Sequence, residues 1–367
     1  MRALFVDQGR AMADAAMGHV RVRHALRAGL GEDDGELEID ELEVPSFTRW
    51  EGRMVRYVPR LEGGGFGSVR WHLARSWVAR REITDRLRHR PADVVHVTTD
   101  QVSLLLGALH ERVPFVLSLD ILAVDWARLK RYVYPGTETP GYLKPLARLE
   151  RRALERAPLS IAWTDTVAES IGHLAPGARV EVLHPGLDLR VHRPGPDRSG
   201  SGPLRVLFVG GRWDQKGGPQ LVNALRPMLG RTVHLDVVTT EAVAPIEGMS
   251  VHTGSPGSSD VAALFANADV FCLPTLVDAC PWVVIEAMAS GVPVVSTTVG
   301  SIPELVGDGG VLVEPAEEAL AETLGALLDD RERRESMGAA GRSRAEERYD
   351  ARANTPRLIE LLREVAR

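Results

Sequence analysis

Four side chains in the second half of this sequence have the types and spacing to hold a charged ligand. Arg212 and Lys216 flank a turn in F-V-G-G-R-W-D-Q-K-G-G-P, and Asp278 and Glu286 stand eight positions apart in P-T-L-V-D-A-C-P-W-V-V-I-E-A-M-A-S-G. Arginine grips phosphate oxygens in pairs, while lysine supplies a compact positive charge. Lysine is scarce, three against 41 arginines, so Lys216 is a poor candidate for surface filler. Gly210 and Gly211 make a tight turn with amides that can face a ligand, and Pro219 suits the first turn of a helix whose start favours an anion. The two carboxylates allow two chemistries. They can form an acid/base pair for glycoside hydrolysis, or they can accept hydrogen bonds from sugar hydroxyls. Taken singly, they also fit a helix-capping aspartate and a first-turn glutamate.

These groups need a scaffold, and the surrounding pattern supplies one. An apolar strand at 270–273 ends at Pro274, and a loop then carries Asp278. A short helix follows with Glu286 in or near its first turn, and after Gly291 and Pro293 the chain returns as a second apolar strand. Such a βαβ unit places ligands at the carboxyl ends of its strands, so both carboxylates are expected to face that crevice. Further strands are read at 205–209, 233–238, 293–296 and 311–313, with an amphipathic helix at 318–328 turning Leu320, Leu324, Leu327 and Leu328 inward. The first half shows the same alternation. Strands are read at 2–6, 93–97, 115–119, 159–162 and 180–183, and helices at 19–30, 69–87 and 142–156, with Thr164 capping another. Residues 193–203, R-P-G-P-D-R-S-G-S-G-P, cannot form a core and read as a linker. The expectation is an α/β chain of two doubly wound parallel-sheet domains, 1–195 and 204–349, joined by 196–203, with a ligand crevice between them.

Composition narrows the function. A chain of 367 residues exceeds a usual single core, which agrees with two domains. A net charge of −6 gives nucleic acid no general attraction. Two cysteines, Cys272 and Cys280, make neither a disulfide framework nor a metal cluster and read as reduced core thiols. No G-x-G-x-x-G follows the first strand, which weighs against a dehydrogenase. Neither a secretory leader nor a membrane-length apolar run is evident, so a soluble, cytoplasmic protein is expected. Between Trp50 and Trp77, Arg53, Arg56, Arg60 and Arg70 interleave with Met54, Tyr57, Phe66 and Trp71, beside a loop of Gly63, Gly64, Gly65 and Gly67. That stretch reads either as a solvated loop before a helix or as a contact for an acceptor or a membrane surface.

Taken together, G-G-R-W-D-Q-K-G-G, D-A-C-P-W-V-V-I-E-A-M-A-S-G-V-P-V-V-S and V-G-S-I-P-E-L-V-G-D resemble the retaining glycosyltransferases of family four, from about Val180 onward. The resemblance implies the GT-B fold, two Rossmann-like domains facing a central cleft, with residues 350–367 crossing back to the first domain. It implies transfer of a sugar from a nucleotide-diphosphate-sugar, which is a substrate, with no metal and no cofactor. The acceptor would be a small molecule, a glycan or a lipid-linked group, with peripheral membrane contact open. By resemblance, Arg212, Lys216 and Asp278 are the catalytic candidates. The basic pair would stabilise the departing diphosphate, Asp278 would contact the transferred sugar, and Glu286 would bind the ribose. Gly210, Gly211, Ala279, Cys280, Pro281, Trp282 and Gly300 complete the donor side, with Thr298 and Ser301 near the nucleotide. Gly9, Gly18 and Asp120 fall on the acceptor side. Asp278 departs from the family's usual glutamate, and Pro281 removes a backbone donor where glycine is common. The other readings are a nucleotide-sugar-binding protein without turnover, and an epimerase or hydrolase on the same architecture.

Overall fold

Short runs of β-branched and apolar residues alternate with amphipathic helices, and a strand buried on both faces must pair in parallel through helical crossovers. The computed structural model follows that rule twice. It describes residues 1–7, 25–30, 37–45, 65–99, 103–133, 140–195, 202–252 and 259–367. Two compact units emerge, one of Met1–Pro185 with Asn354–Arg367 and one of Gly186–Ala353. Residues 186–195 therefore group with the second sheet, and residues 196–201, the body of the expected linker, lie outside the described residues.

The first unit holds a six-stranded parallel sheet of β1 (Arg2–Asp7), β2 (Glu38–Glu43), β3 (Val94–Thr98), β4 (Phe115–Leu119), β5 (Leu159–Ala162) and β6 (Val180–Val182). Their spatial order is β2-β1-β3-β4-β5-β6. Alternate residues divide between two faces, as the two-residue period of a strand requires. Leu4, Val6, Val95, Val97, Leu117 and Leu119 pack with Val78, Ala79 and Ile83 of the Gly65–His89 helix and with Leu146 and Leu154 of the Pro140–Arg156 helix. Ala3, Phe5, Val94, Val116, Leu159 and Ile161 pack on the other face with Leu358, Leu361 and Leu362 of the Ala351–Ala366 helix. That helix is tied down by the Thr355 hydroxyl donating to the Ala25 carbonyl at 3.2 Å and by an Arg179–Glu364 ion pair at 2.9 Å.

Several expectations shift here. Gly65 and Gly67 open the Gly65–His89 helix instead of belonging to a glycine loop, because glycine is tolerated at a helix start and no proline interrupts the residues after it. Arg53, Arg56, Arg60, Met54 and Tyr57 lie outside the described residues, as do Gly9 and Gly18. Of the helix expected at 19–30, residues 25–29 are described and helical. β2 has no counterpart among the strands read from sequence. It is an edge strand, and its charges are satisfied laterally: Asp40, 6% exposed, accepts from Arg86 at 2.9 Å.

The second unit repeats the scheme with β7 (Leu204–Val209), β8 (Val233–Val238), β9 (Met249–His252), β10 (Val270–Leu273), β11 (Val294–Ser296) and β12 (Gly310–Leu312). The order is β12-β11-β10-β7-β8-β9, so the winding reverses between β7 and β10. In an open α/β sheet, the crevice at the carboxyl ends of the two strands flanking such a reversal is where ligands bind. Among the described residues, no helix is long and apolar enough to cross a membrane.

Candidate functional site

The loops that leave β7 and β10 are the ones that carry Arg212, Lys216 and Asp278. β7 ends at Val209, and Gly210 donates its N–H to the Val238 carbonyl at 2.9 Å. A Cβ at Gly210 would stand 3.1 Å from the Lys216 stem, so the absence of a side chain there lets Lys216 lie along the turn. Within the loop, Lys216 N–H donates to the Arg212 carbonyl at 2.9 Å, and Trp213 packs edge-on against Phe208 at 5.1 Å. Gly217 then turns the chain with φ of 78°, a left-handed conformation that glycine adopts without cost, and caps the Gly218–Leu225 helix. Pro219 sits in that helix's first turn, with Leu221 and Leu225 buried behind it.

The helix start is less open to an anion than the sequence suggests. Gly217 N–H donates to the Asp214 carbonyl, Gly218 N–H donates to the Trp213 carbonyl, and Pro219 has no N–H. The loop thus takes up the Gly217 and Gly218 amides at its own helix start, and Arg212 and Lys216 add side-chain positive charge to the turn. Arg212 is exposed at the tip, while Lys216 is held inward.

The β10 loop is fastened directly to this turn. Leu276 N–H donates to the Gln215 carbonyl at 3.0 Å, and a Cβ on Gly217 would lie 2.1 Å from the Pro274 carbonyl oxygen. That registration brings Lys216 Nζ to 2.5 Å from Asp278 Oδ2 and 3.3 Å from the Val277 carbonyl. Asp278 Oδ1 accepts the Ala279 N–H at 2.9 Å. The third loop, after β11, closes on the same backbone. Gly300 has φ of 58° and a Cβ there would come within 2.4 Å of the Asp278 carbonyl, and Ser301 N–H donates to the Ala279 carbonyl at 2.9 Å. Gly210, Lys216, Asp278, Ala279 and Gly300 are therefore assembled by three loops of one sheet.

Glu286 lies deeper in the same βαβ unit. The helix of the βαβ unit spans Trp282–Ala289 and starts at Pro281, so Glu286 falls a full turn inside it, where no acidic residue occupies the first turn. It faces the interior, with its side chain 1% exposed and Oε1 3.8 Å from Nε2 of His192, itself 3% exposed. Ala279, Cys280, Pro281 and Trp282 are likewise buried. His192 has no sequence signal to reveal it: its contact with Glu286 spans most of the unit. On the first unit, Asp120 is half-buried just past the end of β4. Beside it, Thr99 follows β3 with φ of 89°, a strained conformation for a β-branched residue, and is 3% exposed.

Among the described residues, no group of three or more His, Cys, Asp or Glu side chains could hold a metal ion. Cys272 and Cys280 are both buried and outside any disulfide, and burial pushes the Cys272 thiol above its ordinary pKa.

Comparison with known proteins agrees with this arrangement. Residues 203–330 match the family described as Glycosyl transferases group 1, and residues 19–191 match Glycosyltransferase Family 4. The chain is 31% identical over 262 residues to the MMP alpha-(1->4)-mannosyltransferase of Mycolicibacterium hassiacum, a match covering 66% of this chain but only 61% of that relative. It is 31% identical over 261 residues to the GDP-mannose-dependent alpha-(1-6)-phosphatidylinositol monomannoside mannosyltransferase of Mycolicibacterium smegmatis, covering 62% of this chain and 68% of the relative. The solved structure of a sucrose-phosphate synthase from Thermosynechococcus elongatus shares the fold over 99% of both chains, with a TM-score of 0.74 and 18% identity. A family four match on the first sheet, a group 1 match on the second and a mannosyltransferase matched over 68% of its length have one common account: the chain belongs to glycosyltransferase family four and has the GT-B fold.

Proposed function

We propose that this protein transfers a sugar, with retention of anomeric configuration, from a nucleotide-diphosphate-sugar to an acceptor hydroxyl. The observation that carries this reading is the inward-held Lys216 at the point where the second sheet reverses its winding, with Arg212 on the same turn. In the reaction, the bond between the anomeric carbon and the diphosphate oxygen breaks. The acceptor oxygen bonds to that carbon on the same face, and its proton passes to the departing diphosphate. Charge accumulates on the leaving group as the bond breaks, and cations already in place stabilise it without reorganisation. Arg212 and Lys216 supply that charge in place of a metal. Glu286 is the residue proposed for the ribose hydroxyls, and Asp120 for the acceptor side with Gly9 and Gly18. Two buried cysteines, neither in a disulfide, fit a reducing compartment, and we place the protein in the cytoplasm.

The test begins with the donor. Thermal unfolding is followed against GDP-mannose, GDP-glucose, UDP-glucose, UDP-galactose and their free nucleotides, because a ligand that binds only the folded state raises the midpoint. GDP-mannose leads the panel because one relative is named as dependent on it. A donor that stabilises the protein is then followed for nucleotide release with and without candidate acceptors. Lys216→Ala should lower turnover about 100-fold or more, the scale of losing one positioned group at a developing anion, while its circular dichroism stays unchanged. Undiminished transfer by that variant would remove Lys216 from the site. Donor cleavage that no acceptor accelerates would point to a hydrolase instead.

A further inference from the structure

Asp278 has both carboxylate oxygens engaged from within the chain. Oδ2 is 2.5 Å from Lys216 Nζ, and Oδ1 accepts the Ala279 N–H at 2.9 Å. The two side chains are only 17% and 16% exposed, so this pair is largely withdrawn from the water that weakens surface ion pairs. Its frame is rigid. The Leu276–Gln215 hydrogen bond, the close approach of Gly217 to Pro274 and that of Gly300 to the Asp278 carbonyl fix both loops. The parts left free to move are the lysine's four-carbon stem and the aspartate's short arm.

A diphosphate arriving at Lys216 therefore meets an ammonium already neutralised by a carboxylate. Two anions compete for one cation, and lysine, with three donors on a flexible stem, can change partners without moving the backbone. Resting on the donor site read above, we propose that Asp278 is the exchange partner of Lys216. It holds the ammonium in the empty site, yields it to the bound diphosphate, and takes it back as the nucleoside diphosphate product leaves. Asp278 is then a positioning residue that acts through Lys216. Its short side chain serves this role, since it keeps the carboxylate on the lysine. No covalent bond is made or broken in the exchange.

The experiment measures binding of GDP and of UDP, without any sugar, by titration calorimetry and stopped-flow dissociation. It uses the wild-type chain, Asp278→Asn, Lys216→Met and the double variant. Asp278→Asn removes the competing charge with little change in shape. It should bind the nucleotide that wild type binds about tenfold more tightly, mainly through slower dissociation. In the Lys216→Met background the same substitution should change nothing, because the two effects share one contact. Asp278→Glu, which keeps the charge, should stay within about threefold of wild type. The inference is overturned if Asp278→Asn leaves nucleotide affinity unchanged while weakening the nucleotide-sugar, which would put Asp278 on the sugar. It is also overturned if the gain persists without Lys216, which would make it a general field effect. Failure of wild type to bind either nucleotide would overturn the donor site itself, and the exchange with it.

Discussion

At the scale of single residues, Glu286 is the position where two demands meet. The resemblance assigns it to a ribose, yet its carboxylate is buried beside His192, whose ring packs against Phe265 at 6.0 Å and whose carbonyl accepts from Arg342 at 2.9 Å. A buried carboxylate is stable only with a polar or charged partner, and removing one member of such a pair strands the other. Glu286→Gln should therefore cost about 1–3 kcal/mol of stability in addition to weakening nucleotide binding. Urea unfolding reads the first effect, and calorimetry below the unfolding midpoint reads the second. A loss of stability with unchanged nucleotide affinity would make Glu286 a structural residue alone. Lys216 and Asp278 were recognisable as chemistry in the sequence, because their types are unusual for their surroundings. That they touch each other was not, since the contact spans two loops and depends on the β7–β10 reversal.

Among the elements, the turn after β7 does the most to fix the site. Gly217→Ala would force an alanine to φ of 78° and drive its Cβ to 2.1 Å from the Pro274 carbonyl oxygen. The left-handed conformation alone costs about 1–2 kcal/mol, and the clash adds to it. The expected outcome is a fall in stability above about 2 kcal/mol, with weaker nucleotide binding because Lys216 is the preceding residue. Gly172 is the control: it lies within the Asp165–Leu174 helix with nothing near its missing Cβ, and alanine there should stabilise by about 0.5–1 kcal/mol. Chemical denaturation of both variants checks the pair. Central strands were legible in the sequence for a related reason. Val270–Leu273 is buried on both faces and reads as an unbroken apolar run, Phe115–Leu119 and Leu159–Ala162 are interrupted only by one buried serine each, and Val233–Val238 keeps four apolar residues around His234 and Asp236. The two strands missing from the sequence reading, Glu38–Glu43 and Met249–His252, are both sheet edges. An edge strand needs no such run, and E-I-D-E-L-E hides its two buried residues, Asp40 and Leu42, among glutamates. The start of the Trp282–Ala289 helix escaped for another reason: Pro281, as its N-cap residue, makes no side-chain hydrogen bond that a capping pattern would announce.

For the molecule as a whole, the clearest solution property to expect is a dependence of stability on pH. His96 lies in the middle of β3, wholly buried with its ring 4.7 Å from that of Phe5, and burial drops its pKa to about 3. The unfolded chain takes up a proton on this side chain near its ordinary pKa of 6.5, whereas the folded protein does not until about 3. Across that window the unfolded state binds more protons, so stability rises with pH. The contribution is complete above about pH 6.5 and is lost progressively as the pH falls toward 3, at about 1.4 kcal/mol per unit. Melting temperatures measured from pH 7 to pH 4 should fall for the wild type, and His96→Phe should flatten the slope. An unchanged slope in that variant would assign the acid sensitivity to other groups.

The Ala351–Ala366 helix has a consequence for how the chain is made. Its Leu358, Leu361 and Leu362 complete the face of the first sheet that Ala3, Phe5, Val94, Val116, Leu159 and Ile161 present, but these residues come after the whole second unit in the sequence. During synthesis the residues of the second unit, 186–353, emerge as one unbroken segment and can fold as they appear. The first unit, although begun earlier, must wait with that apolar face uncovered until the helix leaves the ribosome. The usual order, in which the earlier domain finishes first, is thereby inverted. The interval in which this protein is most exposed to aggregation and to chaperones is set by the length of its second unit.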